Sequence, residues 1–169
     1  MTKLLAFDIS SAKTGVAFFE NNILDKKSLS TIEPNSKECL GARLKFFSTK
    51  IKKLIKKYKP DVVVIEDIFK GFNIGTFKTL AMFRGVAILT IFELTGFMPI
   101  SLMAVEARNF AKVDKSKELA FDAINKLYSL KFNFEKHNDM ADAIVLGLAV
   151  INGATTSDKK SKKKKKVKK

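Results

Sequence analysis

The sequence predicts one α/β domain built on a mixed sheet that is flanked by helices. Two observations support this fold class. The first part of the chain carries three strand-like segments separated by short turns, and the later part alternates one-sided apolar helices with short apolar strands. No repeat or internal linker interrupts residues 1–154, whereas residues 155–169 change abruptly in composition. We therefore expect a single domain over 1–154 and a disordered Lys-rich tail over 155–169.

The first three strands are predicted to form an antiparallel meander. "KLLAF" (3–7) is an apolar run that ends at Asp8, and "TGVAFFE" (14–20) follows after a short Ser-rich turn. "NILDKKSLSTI" (22–32) alternates loosely and would complete the meander.

A helix and a buried strand are predicted next. The helix should open at Pro34–Asn35, with Asn35 and Glu38 as a capping pair, and Pro60 should end it. Its apolar positions recur every three or four residues on one face, namely Leu40, Leu44, Phe47, Ile51, Leu54 and Tyr58. "DVVVIE" (61–66) is a continuous apolar run, typical of a strand buried on both faces.

The remaining segments complete a five-stranded sheet and its helices. A long helix is expected from about Gly75 to Leu94 and a short strand near Pro99–Met103. A basic segment (106–117) and a helix over about 115–128 come next. "HNDMADAIVLGLAV" (137–150) should open the last helix.

Composition narrows the function classes. The chain has 169 residues, an apolar share of 46%, one Cys and a net charge of +15, which excludes wholesale disorder and a disulfide framework. No signal peptide is apparent, and the apolar stretch 80–92 contains Arg84 and is followed by Glu93, so no membrane span is expected.

The tail carries nine lysines against Asp158, which gives +8 and leaves +7 for the body. Nucleic acid is therefore the expected partner, with the tail as a polyanion-binding arm, a solvated solubility tail or a nuclear-localisation signal.

Four acids are candidates for a metal site. Asp8 and Glu66 each end an apolar strand, and if these strands are parallel neighbours both acids emerge at one sheet edge. Asp139 and Asp142 lie one turn apart on one helix face. Four converging carboxylates require a cation, and all-oxygen ligation suits Mg²⁺ or Mn²⁺ better than zinc. Taken singly, each acid has an alternative reading: Asp8 as a turn residue, Glu66 as an exposed strand end, and Asp139 with Asp142 as partners of the helix dipole.

Three motifs in this order resemble the RuvC-type Holliday junction resolvases of the RNase H-like superfamily. They are "LLAFDISSAKTG", "VVVIEDIF" and "HNDMADAIVLGLAV", and the resemblance covers residues 3–152. It implies an RNase H-like mixed five-stranded sheet flanked by helices. It also implies that Asp8, Glu66, Asp139 and Asp142 are the catalytic metal ligands for two Mg²⁺ ions per site, with Mn²⁺ as a substitute. The small size, the composition and the Lys tail look like those of a phage or mobile-element member.

The function implied by this resemblance is metal-dependent resolution of Holliday junctions and other branched DNA, such as forks and flaps, by paired phosphodiester hydrolysis. A homodimer acting in the cytoplasm, or in the host cytoplasm for a phage protein, is expected, with no membrane partner and no motor partner implied. Two alternatives remain: a ribonuclease acting on RNA–DNA hybrids and a non-catalytic protein that binds branched DNA.

DNA contacts are expected from basic and aromatic side chains. Phe69 and Phe72 flank Lys70 in a segment that resembles the family's aromatic-bearing loop, and they would stack on opened bases unless they belong to the core. The candidate phosphate contacts are Lys13, Lys78, Arg108, Lys112, Lys115 and Lys117, although the sequence favours a solvated surface charge for each of them taken singly. The helix after this loop is apolar around most of its circumference, which favours a two-fold dimer. Arg84 in that helix is expected to pair with Glu93 or with a partner subunit.

Two departures from the family pattern are visible. Ser10 stands where the bacterial pattern has Gly two residues after the first Asp, and "EARNFAKVDKSK" lacks the glycine of the corresponding basic segment. His137, the only histidine, is expected to flank the start of the last helix rather than to serve the site.

Overall fold

The computed structural model of the protein describes residues 2–68 and 73–156. Its strands are β1 (Lys3–Asp8), β2 (Thr14–Glu20), β3 (Ile23–Leu24), β4 (Ser30–Ile32), β5 (Val62–Glu66) and β6 (Ile100–Leu102). Its helices are α1 (Leu40–Tyr58), α2 (Ile74–Thr95), α3 (Ala104–Ala111), α4 (Lys117–Tyr128) and α5 (Phe134–Ile151).

The strands form one mixed sheet, as predicted. Strand order is β3-β2-β1-β5-β6, with β4 also paired to β2. β1 is antiparallel to β2 and parallel to β5, and β5 is parallel to β6. The third predicted strand (22–32) is split into β3 and β4 by a 3₁₀ turn at Lys26–Ser28, so six strands occupy five positions across the sheet.

Helices cover both faces of this sheet because its central strands are apolar on both sides. α1 and α2 pack Phe47, Ile51 and Phe83 on the face that carries Phe7. α3, α4 and α5 cover the other face, where the small residues of α5 and the ring of Phe19 are buried. The arrangement leaves the carboxyl ends of β1 and β5 at one edge, which is where open α/β sheets place their sites.

The start of α1 differs from the prediction. The helix begins at Leu40, after the N-cap Cys39, and not at Pro34–Asn35. The proposed capping pair is therefore wrong: the Asn35 side chain accepts from the amide of Lys37 at 3.1 Å and shapes a turn instead. The helix ends at Tyr58, where Lys59 adopts a left-handed conformation directly before Pro60.

Two helices near the C-terminal end also differ from the prediction. α3 overlaps the first half of the basic segment, for which no helix was expected, and it buries Ala107 and Ala111. α5 begins at Phe134, after the N-cap Asn133, so Asp139 and Asp142 are its sixth and ninth residues. The helix dipole acts within the first turn. Stabilisation of the helix start therefore does not account for this acidic pair.

Helix α2 is long and apolar enough, by length and composition, to cross a membrane. One side of it packs into the core through Phe83, Ala87 and Ile91. The other side is exposed and includes Met82, Leu89 and Phe92. The fold of one subunit therefore buries only one of the two apolar sides of this helix.

Candidate active site

Asp8 and Glu66 meet at the edge of the sheet. Phe7 pairs with Ile65 in the parallel β1–β5 ladder, so Asp8 and Glu66 are the next residues on each strand. Their carboxyl groups are near enough for Glu66 to raise the pKa of Asp8. Asp8 is buried, at 8% exposure, which is unusual for a carboxylate without a cationic partner.

Close packing of α5 on β2 brings the helix over this edge. Gly15 lies opposite Asp8 in the β1–β2 ladder, and a β carbon on it would overlap the backbone carbonyl of Asp139. Gly147, two turns after Asp139 on the same helix, is likewise seated against the ring of Phe19. These two glycines set the distance between α5 and the sheet, and through it the position of Asp142.

The charges of these acids are poorly compensated. The pKa of Asp8 is raised well above its ordinary value, first by burial, then by the hydrogen bond and charge of Glu66, and then by the charge of Asp142. The pKa of Asp142 is also raised, mainly by burial, although Lys117 and Arg108 oppose the shift. Raised carboxylate pKa values in such a cluster mark a site that favours a cation.

Lys117 reaches into this cluster from the start of α4. Its Nζ lies 2.7 Å from Oδ2 of Asp142. Burial alone lowers the pKa of Lys117, but the hydrogen bond and charge of Asp142, followed by the charges of Asp8 and Asp139, outweigh that effect and raise it. The sequence predicts Lys117 only as a phosphate contact or a solvated charge, and its contact with Asp142 is not predicted.

Asp139 occupies the rim of the site. Its Oδ2 lies 3.9 Å from Nζ of Lys13. The same ammonium donates to the carbonyl oxygen of Lys136 at 2.6 Å and lies 3.8 Å from Glu33. Lys13 therefore ties the turn after β1 to the first turns of α5.

The donor set fits a hard divalent cation. Asp8, Glu66 and Asp142 offer only oxygen atoms, the ligands that Mg²⁺ and Mn²⁺ prefer. Over residues 2–68 and 73–156, no group of three or more Asp, Glu, His or Cys side chains forms a ready-made metal cluster. Asp8 lies beside Glu66, whereas Asp142 is paired with Lys117 and Asp139 lies near Lys13, so the four acids do not face one common point.

The turn that follows Asp8 is held by hydroxyl groups. Thr14 is fully buried, and its Oγ1 accepts from the amide of Ser10 and donates to the carbonyl oxygen of Ser10. Ser10 has no positive φ angle, so the turn does not require the glycine of the bacterial pattern. Arg43 of α1 donates from Nη2 to the carbonyl oxygen of Ser11 at 2.7 Å and supports the same turn.

The neighbouring acid Asp67 is kept out of the cluster. Its Oδ1 lies 3.0 Å from Nη2 of Arg84, which also donates to Oγ of Ser101 at 2.9 Å. Of the two expected partners of Arg84, Glu93 is wrong, because Arg84 pairs with Asp67 and Glu93 lies 3.9 Å from Lys52. Arg84 is instead a structural ion-pair partner beside Glu66.

The other predicted residues are spread around this edge. Arg108 lines a small cavity together with Glu66 and Asp142. Lys78, Lys112 and Lys115 are exposed. Phe69, Lys70 and Phe72 lie outside the described residues. His137 lies in the first turn of α5, where its ring stacks on Phe132 and Nδ1 accepts from the amide of Asn133 at 2.8 Å.

The chain has a mixed sheet with Asp8 and Glu66 at adjacent strand ends, and α5 brings Asp139 and Asp142 to the same side. This arrangement is that of the RNase H-like class of proteins. Sequence comparison is more specific. The sequence profile of the family "Crossover junction endodeoxyribonuclease RuvC" matches residues 4–151. The chain therefore belongs to the RuvC family.

Individual relatives agree with this assignment. RuvC of Campylobacter curvus is 30% identical over 155 residues, which covers 89% of this chain and 96% of that protein. RuvC of Finegoldia magna is 27% identical over 159 residues, covering 90% and 94%.

Solved structures share the fold. Thermus thermophilus RuvC in complex with a Holliday junction substrate superposes with a TM-score of 0.77 at 12% identity, covering 90% of this chain and 94% of that one. The yeast mitochondrial Holliday junction resolvase Ydc2 gives 0.62 at 14% identity, covering 89% and 78%.

Proposed function

We propose that this protein is a metal-dependent, structure-selective DNA endonuclease that resolves Holliday junctions by one cut in each of two opposing strands. The observation that carries the proposal is the meeting of Asp8, Glu66 and Asp142 at the sheet edge of a chain that matches the RuvC family over 4–151. Forks and flaps are further candidate substrates.

Asp8, Glu66, Asp139 and Asp142 are the proposed catalytic residues and would hold two Mg²⁺ ions, for which Mn²⁺ can substitute. When bound, such ions supply the acidified water and the positive charge that phosphodiester hydrolysis needs. Burial of Asp8 excludes water from one side of the site and strengthens its attraction for a cation. Lys117 would leave Asp142 and turn towards the DNA phosphate, which agrees with its half-exposed side chain.

DNA would approach the same edge. The proposed phosphate contacts are Lys13, Lys78, Arg108, Lys112, Lys115 and Lys117, and the proposed base-stacking segment contains Phe69, Lys70 and Phe72. Arg108 is the best supported of the basic residues, because it borders Glu66 and Asp142 directly. It would bring a phosphodiester to the carboxylates.

A homodimer is proposed to hold both cutting sites. Met82, Gly85, Leu89 and Phe92 recur at spacings of three and four along the exposed side of α2. A second copy of this helix would cover the stripe, and two-fold pairing matches the symmetry of a four-way junction. The protein is proposed to act in the cytoplasm, or in the host cytoplasm if it is phage-encoded.

The test is cleavage of an end-labelled four-way junction with Mg²⁺ and with EDTA, beside an RNA–DNA hybrid. Symmetric cuts in the junction that require Mg²⁺ are expected from the wild type and from the control Asp122→Asn, whose side chain is on the surface of α4. Asp8→Asn, Glu66→Gln and Asp142→Asn should bind the junction without cutting it. Cutting of the hybrid alone would assign a ribonuclease, and binding without cleavage in the wild type would assign a non-catalytic protein.

A further inference from the structure

The outer side of α1 is a continuous positive surface. Its inner side buries Phe47, Ile51 and Ile55. The helix contains no Asp or Glu, and the residues that we call the lysine face are exposed along it: Lys45, Lys50, Lys52, Lys53, Lys56 and Lys57.

This arrangement is unfavourable for the helix itself. Lys52 and Lys56 are four residues apart, as are Lys53 and Lys57, and like charges at that spacing destabilise a helix. The negative end of the helix dipole compensates Lys56 and Lys57 in the last turn. It does not reach Lys45 or Lys53, so stability of the helix does not explain their charge.

Carboxylates of the fold do not neutralise the lysine face. Within the part of the chain that the structure describes, Lys52 is its only member with an acid within 4 Å, namely Glu93 at 3.9 Å. Lys50 lies 5.0 Å from the centre of the Phe46 ring, and Lys57 lies 4.6 Å from that of Tyr58. These ring contacts leave the ammonium groups free to bind anions.

The lysine face also has a defined place relative to the acids. α1 starts beside the candidate active site, where Arg43 bonds to the turn after Asp8. Its other end leads to Asp61, whose amide donates to the carbonyl oxygen of Lys3 at the start of β1. Lys45 and Lys56 are separated by about 16 Å along the helix axis, at a rise of about 1.5 Å per residue. This distance equals about five phosphate steps of one DNA strand, at about 3.4 Å per step. The face therefore matches the length and charge of a short stretch of duplex.

We propose that the lysine face of α1 is a second nucleic-acid surface, which binds the phosphate backbone of duplex DNA without reading its sequence and without taking part in cleavage. It lies on the opposite layer of the sheet from Arg108, Lys112 and Lys115. A duplex arm that leaves the cleavage edge would follow it down the side of the domain. The proposal does not depend on junction cleavage, because a linear duplex is sufficient to occupy it.

The test compares two triple variants of the full-length protein with equal loss of charge. Lys45→Gln, Lys53→Gln and Lys56→Gln neutralise the lysine face without a change in helix propensity. Lys26→Gln, Lys27→Gln and Lys131→Gln neutralise exposed lysines elsewhere and serve as the control. Binding of a labelled linear duplex is measured by fluorescence anisotropy in EDTA over a series of salt concentrations, and thermal melting checks that both variants are folded.

We expect the lysine-face variant to bind the duplex about tenfold more weakly and to lose about two to three units of salt slope, at about 0.9 per phosphate contact. The control should stay close to the wild type. If both variants lose duplex affinity equally, the effect is one of net charge alone and the proposal is overturned. It is also overturned if neither variant loses affinity. If the lysine-face variant binds duplex like the wild type but no longer binds phosphatidylserine vesicles, the face is a membrane-binding surface and the proposal is overturned.

Discussion

The ammonium group of Lys117 lies 2.7 Å from the carboxylate of Asp142, across the contact between α4 and α5. Both side chains are only partly exposed, at 44% and 18%. The charge of Lys117 also acts on Asp8 and Asp139. One lysine therefore provides positive charge to three of the four candidate acids, Asp8, Asp139 and Asp142.

Replacement of Lys117 should destabilise the protein in EDTA more than in Mg²⁺. Lys117→Gln leaves a mostly buried carboxylate without its partner, and after allowance for the solvent exposure of the lysine we expect a loss of about 1 kcal/mol in unfolding free energy. Bound Mg²⁺ should supply the missing charge and narrow the difference. Thermal melts of wild type, Lys117→Gln and the exposed control Lys115→Gln measure this. Equal losses with and without Mg²⁺ would contradict it.

Removal of the Asp8 charge should stabilise the protein in EDTA while it abolishes cleavage. Because the pKa of Asp8 is raised in the fold, mainly by burial, the folded state binds this proton more tightly than the unfolded state does. Stability is therefore lost as pH rises from the ordinary Asp range, about 4, through the raised pKa. Asp8→Asn should melt higher than the wild type at neutral pH, by about 2–4 °C for each kcal/mol relieved.

The pH dependence provides the check on that prediction. The advantage of Asp8→Asn should shrink as pH falls towards the ordinary Asp value, because the wild-type carboxyl then takes up its proton. Addition of Mg²⁺ should raise the melting temperature of the wild type but not that of Asp8→Asn. If the difference in melting temperature between Asp8→Asn and the wild type is constant between pH 4 and 8, the Asp8 charge is not unfavourable in the fold.

Gly15 should not tolerate even a methyl group. A β carbon there meets the backbone of Asp139, which cannot rotate away as a side chain can, so Gly15→Ala must push α5 off the sheet. We expect a loss of about 1–3 kcal/mol in stability and a fall in cleavage rate. Gly41→Ala is the matched control: nothing lies within 4 Å of its added carbon, and it should be neutral or slightly stabilising. Chemical denaturation and junction cleavage of both variants test the contrast.

The sheet was predictable because its strands carry strong local patterns. The apolar run before Asp8 and the run 61–66 both ended where the structure ends β1 and β5. α3 was missed because its buried side chains are Ala107 and Ala111, too small to give a clear apolar period. The start of α5 was missed because its first turn is polar and only the cap at Asn133 marks it.

The acids of the candidate site were predictable from the sequence, but the basic side chains that pair with them were not. Asp8 and Glu66 sit at strand ends, so their meeting follows from strand order alone. The bonds from Lys117 to Asp142 and from Arg84 to Asp67 join residues that are far apart in sequence. Such pairs depend on how helices pack, and no local pattern reports them.

The Lys-rich tail should add non-specific DNA affinity. The tail after the buried Ala154 holds nine lysines, so deletion of Thr155–Lys169 removes positive charge and keeps Ala154. We expect weaker binding to every DNA and a shallower salt dependence, by about 0.7–0.9 units per lost phosphate contact. A full-length variant with these lysines changed to Gln separates charge from length and should match the deletion. A salt slope equal to that of the wild type would mean that the tail does not engage DNA.

Helix α2 should join two subunits through its exposed stripe. Leu89 is 59% exposed and Phe92 49%, both in the middle or second half of a helix whose other side is in the core. Val86 packs partly against that core, so Leu89→Glu is the cleaner disruption. A buried glutamate without a partner is costly at an interface, and we expect this variant to be monomeric. Sedimentation should give roughly twice 18.9 kDa for the wild type and 18.9 kDa for the variant.

The matched control for this prediction is Leu127→Glu, which introduces the same charge at a 62% exposed leucine on α4, in the opposite helical layer. It should remain a dimer and cut both strands of a junction within one bound complex. Leu89→Glu should give single, uncoupled nicks, because each monomer carries one site. Since α2 is also long and apolar enough to cross a membrane, flotation with neutral lipid vesicles accompanies the measurement. A wild-type monomer at micromolar concentration that still makes paired cuts, or one that floats with the vesicles, would overturn the dimer.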